Sequence, residues 1–154
     1  MRSRILVIGI GNDFRCDDRI GLEVARLLRE RNILSVEVME ESGEGTALME
    51  RWKDAKYVFL IDTVSSDVPP GTIHRIDVHS QSMPKTFFHS STHQFGVAEA
   101  VELSRSLNQL PLHLIIYGIE GKIFSMGTKV TPAVIDAGIR TCELISREIR
   151  GKQT

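Results

Sequence analysis

The sequence predicts an α/β fold whose sheet is mostly parallel and covered by helices on both faces. Three short apolar runs, at residues 4–10, 57–62 and 112–119, have the length and composition of buried strands. Segments with helical spacing of apolar residues lie between such strands along the chain. This alternation is typical of a parallel sheet, because each crossover helix packs back onto the sheet. We therefore expect a single domain that spans residues 1–154.

The first half of the chain begins with the strand at 4–10, RILVIGI, which a glycine turn ends. A helix is expected at 20–31, because apolar residues recur there on one helical face. An alternating strand at 36–40 then leads to a helix at 45–55 and to the buried strand at 57–62, YVFLID. Both buried strands of this half therefore lead to acidic residues.

The second half begins with a turn cluster at 65–71, SSDVPPG, and a half-exposed strand at 72–78 of the kind found at a sheet edge. The segment STHQ fits a capping box and predicts that the next helix begins at Ser91. The buried strand at 112–119 follows. A Thr-Pro pair then opens the last helix, at 131–150, because proline is favoured in a first helical turn.

The composition excludes several classes of function. Lys and Arg total 19 and Asp and Glu total 20, so the formal net charge is −1 and no basic surface for nucleic acid is expected. Aromatic residues make up 6% of the chain, which is few for a base-stacking platform. The two cysteines are far apart, and no apolar run is long enough to cross a membrane. We expect a soluble cytoplasmic domain that binds neither nucleic acid nor a membrane.

A glycine-rich loop with three aspartates, GIGNDFRCDDRIG at residues 9–21, joins the first strand to the first helix. It begins like a dinucleotide-binding loop, but Phe14 stands where the third glycine of G-x-G-x-x-G belongs. Carboxylates would also repel a phosphate unless a metal ion intervened. The loop therefore argues against a nucleotide and favours a divalent metal ion.

Four residues are candidates for such a site. Asp17 and Asp18 follow the first strand, Asp62 ends the buried strand at 57–62, and His93 lies at the predicted start of a helix. Parallel sheets bind ligands at the carboxyl ends of their strands, and carboxylate with imidazole suits Zn, Ni, Fe or Mn. Simpler roles remain open. Asp17 or Asp18 could cap the helix, Asp62 could serve a turn, and His93 could be a structural histidine.

Several neighbouring residues have secondary or open roles. Asn12 and Thr63 could orient the acids. Cys16 is predicted to be incidental, because adjacent aspartates disfavour a reactive thiolate, and His89 is expected at the surface. The glycines of EESGEGTALME could bring backbone close to a bound peptide or simply open a helix. The acid at the end of YGIE, Glu120, could face the cleft or cap a turn.

Four motifs in order along the chain resemble the hydrogenase maturation proteases, the endopeptidases that trim the large subunit of nickel-iron hydrogenases. They are ILVIGIGNDFRCDDRIG, FLIDTVSS, STHQFGVAEAVEL and LIIYGIEG, and the resemblance runs from about Ile5 to about Ile145. Each motif lies at a predicted strand or helix end. The resemblance implies a three-layer α/β/α fold with a twisted, mainly parallel sheet of about five strands.

The resemblance also implies an activity, which is removal of a C-terminal peptide from the hydrogenase large-subunit precursor once nickel has been inserted. The acid, the aspartate and the histidine that bind metal in the family correspond to Asp18, Asp62 and His93, with Asp17 as the alternative to Asp18. The implied metal is nickel presented by the precursor, for which other divalent ions are expected to substitute. The alternative function is that of a maturation chaperone that senses nickel without cutting.

Overall fold

The computed structural model describes residues 5–84, 87–88 and 93–153. The strands are β1 (Ile5–Ile10), β2 (Val36–Glu41), β3 (Tyr57–Val64), β4 (Ile73–Asp77) and β5 (His113–Glu120). The helices are α1 (Ile20–Glu30), α2 (Gly45–Trp52), α3 (Val97–Ser106) and α4 (Pro132–Gln153). A short 3-10 turn at Cys16–Arg19 precedes α1.

The five strands form one sheet in the order β2-β1-β3-β5-β4. Neighbouring strands are parallel, except that β4 pairs with β5 in the antiparallel direction and lies at an edge. Both the mainly parallel sheet and the edge position of the strand near 72–78 are therefore confirmed.

Helices cover both faces of this sheet. Leu28 of α1 and Ile145 of α4 are buried in one hydrophobic core, while Trp52 of α2 and Val101 of α3 are buried in the other. All six residues of β1 are buried, because a central strand between two helical layers has no solvent-facing side. The three-layer α/β/α fold implied by the family resemblance is confirmed.

The last helix, α4, is the longest of those described, with 22 residues. Cys142 of this helix is 1% exposed and packs in the hydrophobic core. In the portions of the chain that the structure describes, no helix has the length and apolar character needed to span a membrane.

The start of α3 differs from the prediction. The helix begins at Val97, after Gly96, whose N–H donates to the carboxylate of Glu99 at 2.8 Å. This bond provides the helix start that the sequence analysis had placed at Ser91. Ser91 itself lies outside the described residues, as does His89.

The end of β3 also differs from the prediction. Asp62 does not end the strand, because Thr63 and Val64 continue to pair with β5. Asp62 therefore lies within the last part of a central strand, where backbone pairing with Gly118 of β5 restricts its position more tightly than a turn would.

Candidate active site

A cleft of about 200 Å³ lies at the carboxyl edge of the sheet, beyond the ends of β1 and β3. These strands are neighbours, but the chain leaves β1 toward β2 on one side and leaves β3 toward β4 and β5 on the other. Such a switch point leaves a crevice between the two connections. The cleft is lined by Ile10, Gly11, Asn12, Arg15, Asp18, Ser42, Gly43, Asp62, Thr63, Phe88, His93 and Val97.

The cleft brings together three of the candidate residues, Asp18, Asp62 and His93. Asp18 comes from the 3-10 turn after β1, Asp62 from β3, and His93 from the segment that precedes α3. Two carboxylates and one imidazole from three separate parts of the chain therefore share one concave surface.

The two carboxylates of the cleft lie where their ionised forms are unfavourable. Burial raises the pKa of Asp62 well above its usual value, and the nearby charge of Asp18 raises it further. Burial also raises the pKa of Asp18 to about 6. The charge of Arg15 opposes that rise in pKa, as do the nearby donors of Thr63 and Asn12. Acids placed close together in a buried site resist joint ionisation, and a bound cation would favour it.

Carboxylate and imidazole donors of this kind suit a divalent cation such as Ni²⁺ or Zn²⁺. Within residues 5–84, 87–88 and 93–153, however, no three His, Cys, Asp or Glu side chains are grouped closely enough to form a ready metal site. Asp18, Asp62 and His93 thus share the cleft without forming a preassembled ligand set. Metal binding by these residues stays a prediction.

Asp17 and Asp18, which the sequence could not distinguish, differ sharply in environment. The buried carboxylate of Asp17 accepts backbone N–H bonds from Lys122, Ile123 and Thr131 and a bond from the Thr131 hydroxyl, at 2.7–2.9 Å. Burial acts to raise the pKa of Asp17, but these hydrogen bonds lower it overall. The Asp17 carboxylate is therefore committed to the protein, and Asp18 is the acid that lines the cleft.

Asp17 fastens the loop after β5, residues 121–131, to the loop after β1. Further bonds join the same loops, from the Cys16 N–H to the Gly127 carbonyl at 2.9 Å and from the Gly127 N–H to the Phe14 carbonyl at 2.8 Å. The sequence analysis missed this role, because the partners of Asp17 lie 105 to 114 positions away.

Cys16 has a conformation that few side chains adopt. Its φ of 48° lies in the left-handed region that glycine favours. Its sulfur also lies 2.9 Å from the point where a Cβ on Gly127 would stand, so the two loops are closely packed there. Cys16 is buried and does not line the cleft, which is consistent with the prediction that it has no chemical role.

The loop after β2 forms the wall of the cleft beside His93. Gly43 has a φ of 98°, and a Cβ placed there would lie 3.8 Å from Cδ2 of His93 and 3.1 Å from the Ile10 side chain. Gly45 donates its N–H to the Phe95 carbonyl at 2.8 Å, and a Cβ there would clash with the Phe95 ring at 2.3 Å. Gly43 thus lies at the cleft, whereas Gly45 allows close packing at the entry to α2.

The glycines that suggested a phosphate-binding loop permit close packing of backbone. A Cβ on Gly9 would lie 2.4 Å from the Gly21 carbonyl oxygen, and one on Gly11 would lie 2.1 Å from the Asp18 carbonyl oxygen. A Cβ on Gly21 would in turn lie 2.2 Å from the Ile10 carbonyl oxygen. The approach of α1 to β1 accounts for these glycines without a nucleotide.

Glu120 has a structural role outside the cleft lining. Its buried carboxylate accepts bonds from the Ser66 N–H at 2.7 Å and the Ser66 hydroxyl at 2.6 Å, and it lies 3.3 Å from Nε2 of His74. Ser66 and His74 thus both contact the Glu120 carboxylate. Of the two roles considered for Glu120, the structure shows the one that holds a turn.

Comparison with known proteins assigns the family. A sequence model of the hydrogenase maturation protease family (HycI) matches residues 21–148, which is most of the chain. The chain belongs to the hydrogenase maturation protease family. Asp62 and His93 fall inside the matched region, and Asp18 lies just before it.

Two relatives illustrate the relationship of this chain to known members of the family. It is 30% identical over 126 residues to the hydrogenase expression/formation protein HupD of Thiocapsa roseopersicina, with 78% of this chain covered. The match spans only 56% of that relative's length. It is also 28% identical over 135 residues to the hydrogenase 2 maturation protease of Escherichia coli, covering 85% of this chain and 81% of the relative. These matches support a processing-protease role.

Solved structures of endopeptidases share the fold. A solution structure of an endopeptidase from Escherichia coli is 26% identical and has a TM-score of 0.81, with 97% of this chain and 94% of that chain covered. The hydrogenase maturating endopeptidase HybD from Escherichia coli has a TM-score of 0.78 over the same shares of the two chains. At 19% identity, that second likeness supports the fold alone.

One charged residue that lines the cleft, Arg15, was not identified from the sequence. Arg15 lines the cleft beside Asp18, and its Nε donates to the carbonyl of Phe124 at 3.2 Å. The available signal was a basic residue within an otherwise acidic loop, three positions before Asp18. That signal alone does not reveal which way the side chain points.

Proposed function

We propose that this protein is an endopeptidase that removes the C-terminal extension of a nickel-iron hydrogenase large-subunit precursor after nickel has been inserted. Membership of the hydrogenase maturation protease family supports the protease class. The single observation that carries the assignment to a site is the convergence of Asp18, Asp62 and His93 in one cleft at the switch point of the sheet.

In this proposal nickel is part of the substrate, and the cleft recognises it. Asp18 and Asp62 resist joint ionisation, so a cation that enters between them is favoured electrostatically. The described side chains do not form a ready three-ligand group, which agrees with a site that the precursor must complete with its own ligands. A precursor without nickel would leave two acids facing each other, and its binding would be weaker.

The residues of the chain would orient the reacting groups. The Thr63 N–H donates to Oδ1 of Asp62 at 2.8 Å and fixes that carboxylate. The Thr63 hydroxyl donates to the Asp17 carbonyl at 3.3 Å, and the Asn12 N–H donates to the Asp18 carbonyl at 3.3 Å, so both hold the backbone that carries Asp18. His93 would supply an imidazole nitrogen. Nickel held there would supply Lewis acidity toward a carbonyl or water.

Substitution of Asp62 tests the proposal. Purified wild-type protein and the Asp62→Asn variant would be incubated with nickel-loaded large-subunit precursor, and the precursor mass would be followed over time. Wild type is expected to release a C-terminal fragment, whereas Asp62→Asn is expected to leave the precursor intact, because a neutral amide is a much weaker metal ligand. Asp54→Asn is the matched control, because Asp54 is an exposed acid in the turn between α2 and β3.

The outcomes separate the alternatives. Full processing by Asp62→Asn would contradict the assigned site. An unchanged precursor mass with wild type, together with a stable nickel-dependent complex, would instead support the non-catalytic chaperone that senses nickel.

A further inference from the structure

We infer that Arg15 is a further catalytic residue of this cleft, where its guanidinium binds the carbonyl oxygen of the scissile peptide bond. The inference rests on the proposed endopeptidase function and adds a residue to it. Arg15 lines the same cleft as Asp18, Asp62 and His93, and it is partly buried there.

One edge of the guanidinium is already fixed. Nε of Arg15 donates to the Phe124 carbonyl at 3.2 Å. Phe124 belongs to the loop at 121–131, which the buried carboxylate of Asp17 fastens in place. Because Nε is committed to the backbone, the two terminal nitrogens are the donors that remain for a ligand. Donors that are held before the substrate arrives need little reorganisation during the reaction.

Arg15 differs from most arginines in the chain in that its guanidinium is not bonded to a carboxylate in the part of the chain that the structure describes. Seven others form ion pairs with carboxylates: Arg19, Arg26, Arg29, Arg31, Arg51, Arg75 and Arg105. Arg15 forms no such pair with any carboxylate in the described part of the chain, although Asp18 lines the same cleft. The charge of Arg15 acts on Asp18 without a direct ion pair, so the guanidinium can donate to an oxygen atom of a ligand in the cleft.

The chemistry of peptide hydrolysis gives this cation a role. Water adds to the carbonyl carbon, a C–O bond forms, and the π electron pair moves onto the carbonyl oxygen. The C–N bond then breaks as the nitrogen takes one proton of the water, and transfer of the remaining acid proton to the amine leaves a carboxylate and an ammonium group. Among the protein's own side chains in the cleft, Asp18 and Asp62 would oppose negative charge on that oxygen. The positive charge of Arg15 would stabilise the negative charge that develops on the carbonyl oxygen, and charge-assisted hydrogen bonds to such an oxygen are strong.

The test compares the steady-state cleavage of nickel-loaded precursor by wild type, Arg15→Gln, Arg15→Lys and Arg29→Gln. Arg15→Gln is expected to lower kcat by about 100-fold or more, with KM changed by less than about threefold, because the bond strengthens only as charge develops. Arg15→Lys keeps the charge but not the forked donors, and a kcat between those of wild type and Arg15→Gln is expected. Arg29→Gln removes an equal charge from an exposed arginine of α1 and should match wild type.

Each outcome decides the inference. A kcat for Arg15→Gln within threefold of wild type, a rise in KM with unchanged kcat, or an equal loss in Arg29→Gln would overturn it. If thermal unfolding shows that Arg15→Gln does not fold, Arg15→Lys decides, and a wild-type kcat for that variant would overturn the inference. If wild type itself leaves the precursor intact, the proposed function fails and this inference falls with it. Cleavage by wild type with no effect at Arg15 refutes the inference alone.

Discussion

Two adjacent acids in the loop after β1 have opposite roles because their surroundings differ. Asp17 is fully buried, accepts four hydrogen bonds and has a lowered pKa. Asp18 lines the cleft and has a raised pKa, because burial there is not matched by as many donors. The sequence indicated a carboxylate at this loop but could not choose between the two, since the donors to Asp17 come from the distant loop at 121–131.

The pKa of Asp62 predicts a pH-dependent gain in stability when the acid is removed. In the unfolded chain Asp62 ionises near its usual pKa of about 4, but in the folded protein it holds its proton to higher pH. Between these values the folded state binds more protons, so wild-type stability falls as pH rises. The Asp62→Asn variant has no carboxyl group to titrate at this position, so its stability does not fall with pH for this reason. Without divalent ions its Tm is expected to exceed that of wild type at neutral pH, with the difference shrinking toward pH of about 4.

Thermal unfolding of the same variant used in the processing assay provides the measurement. Asp54→Asn again serves as control, and its Tm should follow that of wild type across the pH range. A Tm for Asp62→Asn below that of wild type at every pH would show that Asp62 is a stabilising structural acid. A gain in stability with loss of processing would instead mark an acid kept for function.

Close contact between α1 and the central strands sets the shape of the cleft. Gly21 stands near the start of α1, where a Cβ would lie 2.2 Å from the Ile10 carbonyl oxygen and 2.5 Å from the Ile61 carbonyl oxygen. Those atoms belong to β1 and β3, so the helix could accept a larger residue only by moving away from both strands. Asp18, on the turn before α1, would move with it.

A pair of glycine substitutions tests this packing. Gly21→Ala is expected to destabilise the protein by about 2–3 kcal/mol, because the added methyl group overpacks rigid backbone. Gly151→Ala is the matched control, since a Cβ there meets nothing within 4 Å and lies in the last turn of α4. It is expected to stabilise by up to about 1 kcal/mol through helix propensity. Urea unfolding measures both, and equal effects would contradict the packing account.

Element types were more predictable than element boundaries. The buried strands β1 and β5 and the last helix were recognisable, because their apolar patterns extend over whole elements. The predicted start of α3 was wrong. The sequence has a capping-box pattern at Ser91, but in the structure the helix begins after Gly96, whose N–H donates to the Glu99 carboxylate. The end of β3 was wrong because its last residues depend on pairing with β5, which is 56 positions away along the chain at Asp62 and Gly118.

At the scale of the whole molecule, the strand order explains why the site could be anticipated. The carboxyl ends of β1, β2, β3 and β5 lie at one edge, and the diverging connections after β1 and β3 leave the cleft there. Acids and a histidine near such ends were therefore sound candidates. The roles of Arg15 and Asp17 were not predictable from the sequence, because they depend on contacts with residues 122–131.

The central claim is that the cleft cuts a precursor that carries nickel. The most direct measurement is the intact mass of nickel-loaded and nickel-free large-subunit precursor after incubation with the wild-type protein. We predict that the nickel-loaded precursor loses a single C-terminal fragment while the nickel-free precursor keeps its full mass. Unchanged mass in both samples, or equal cleavage in both, would contradict the account.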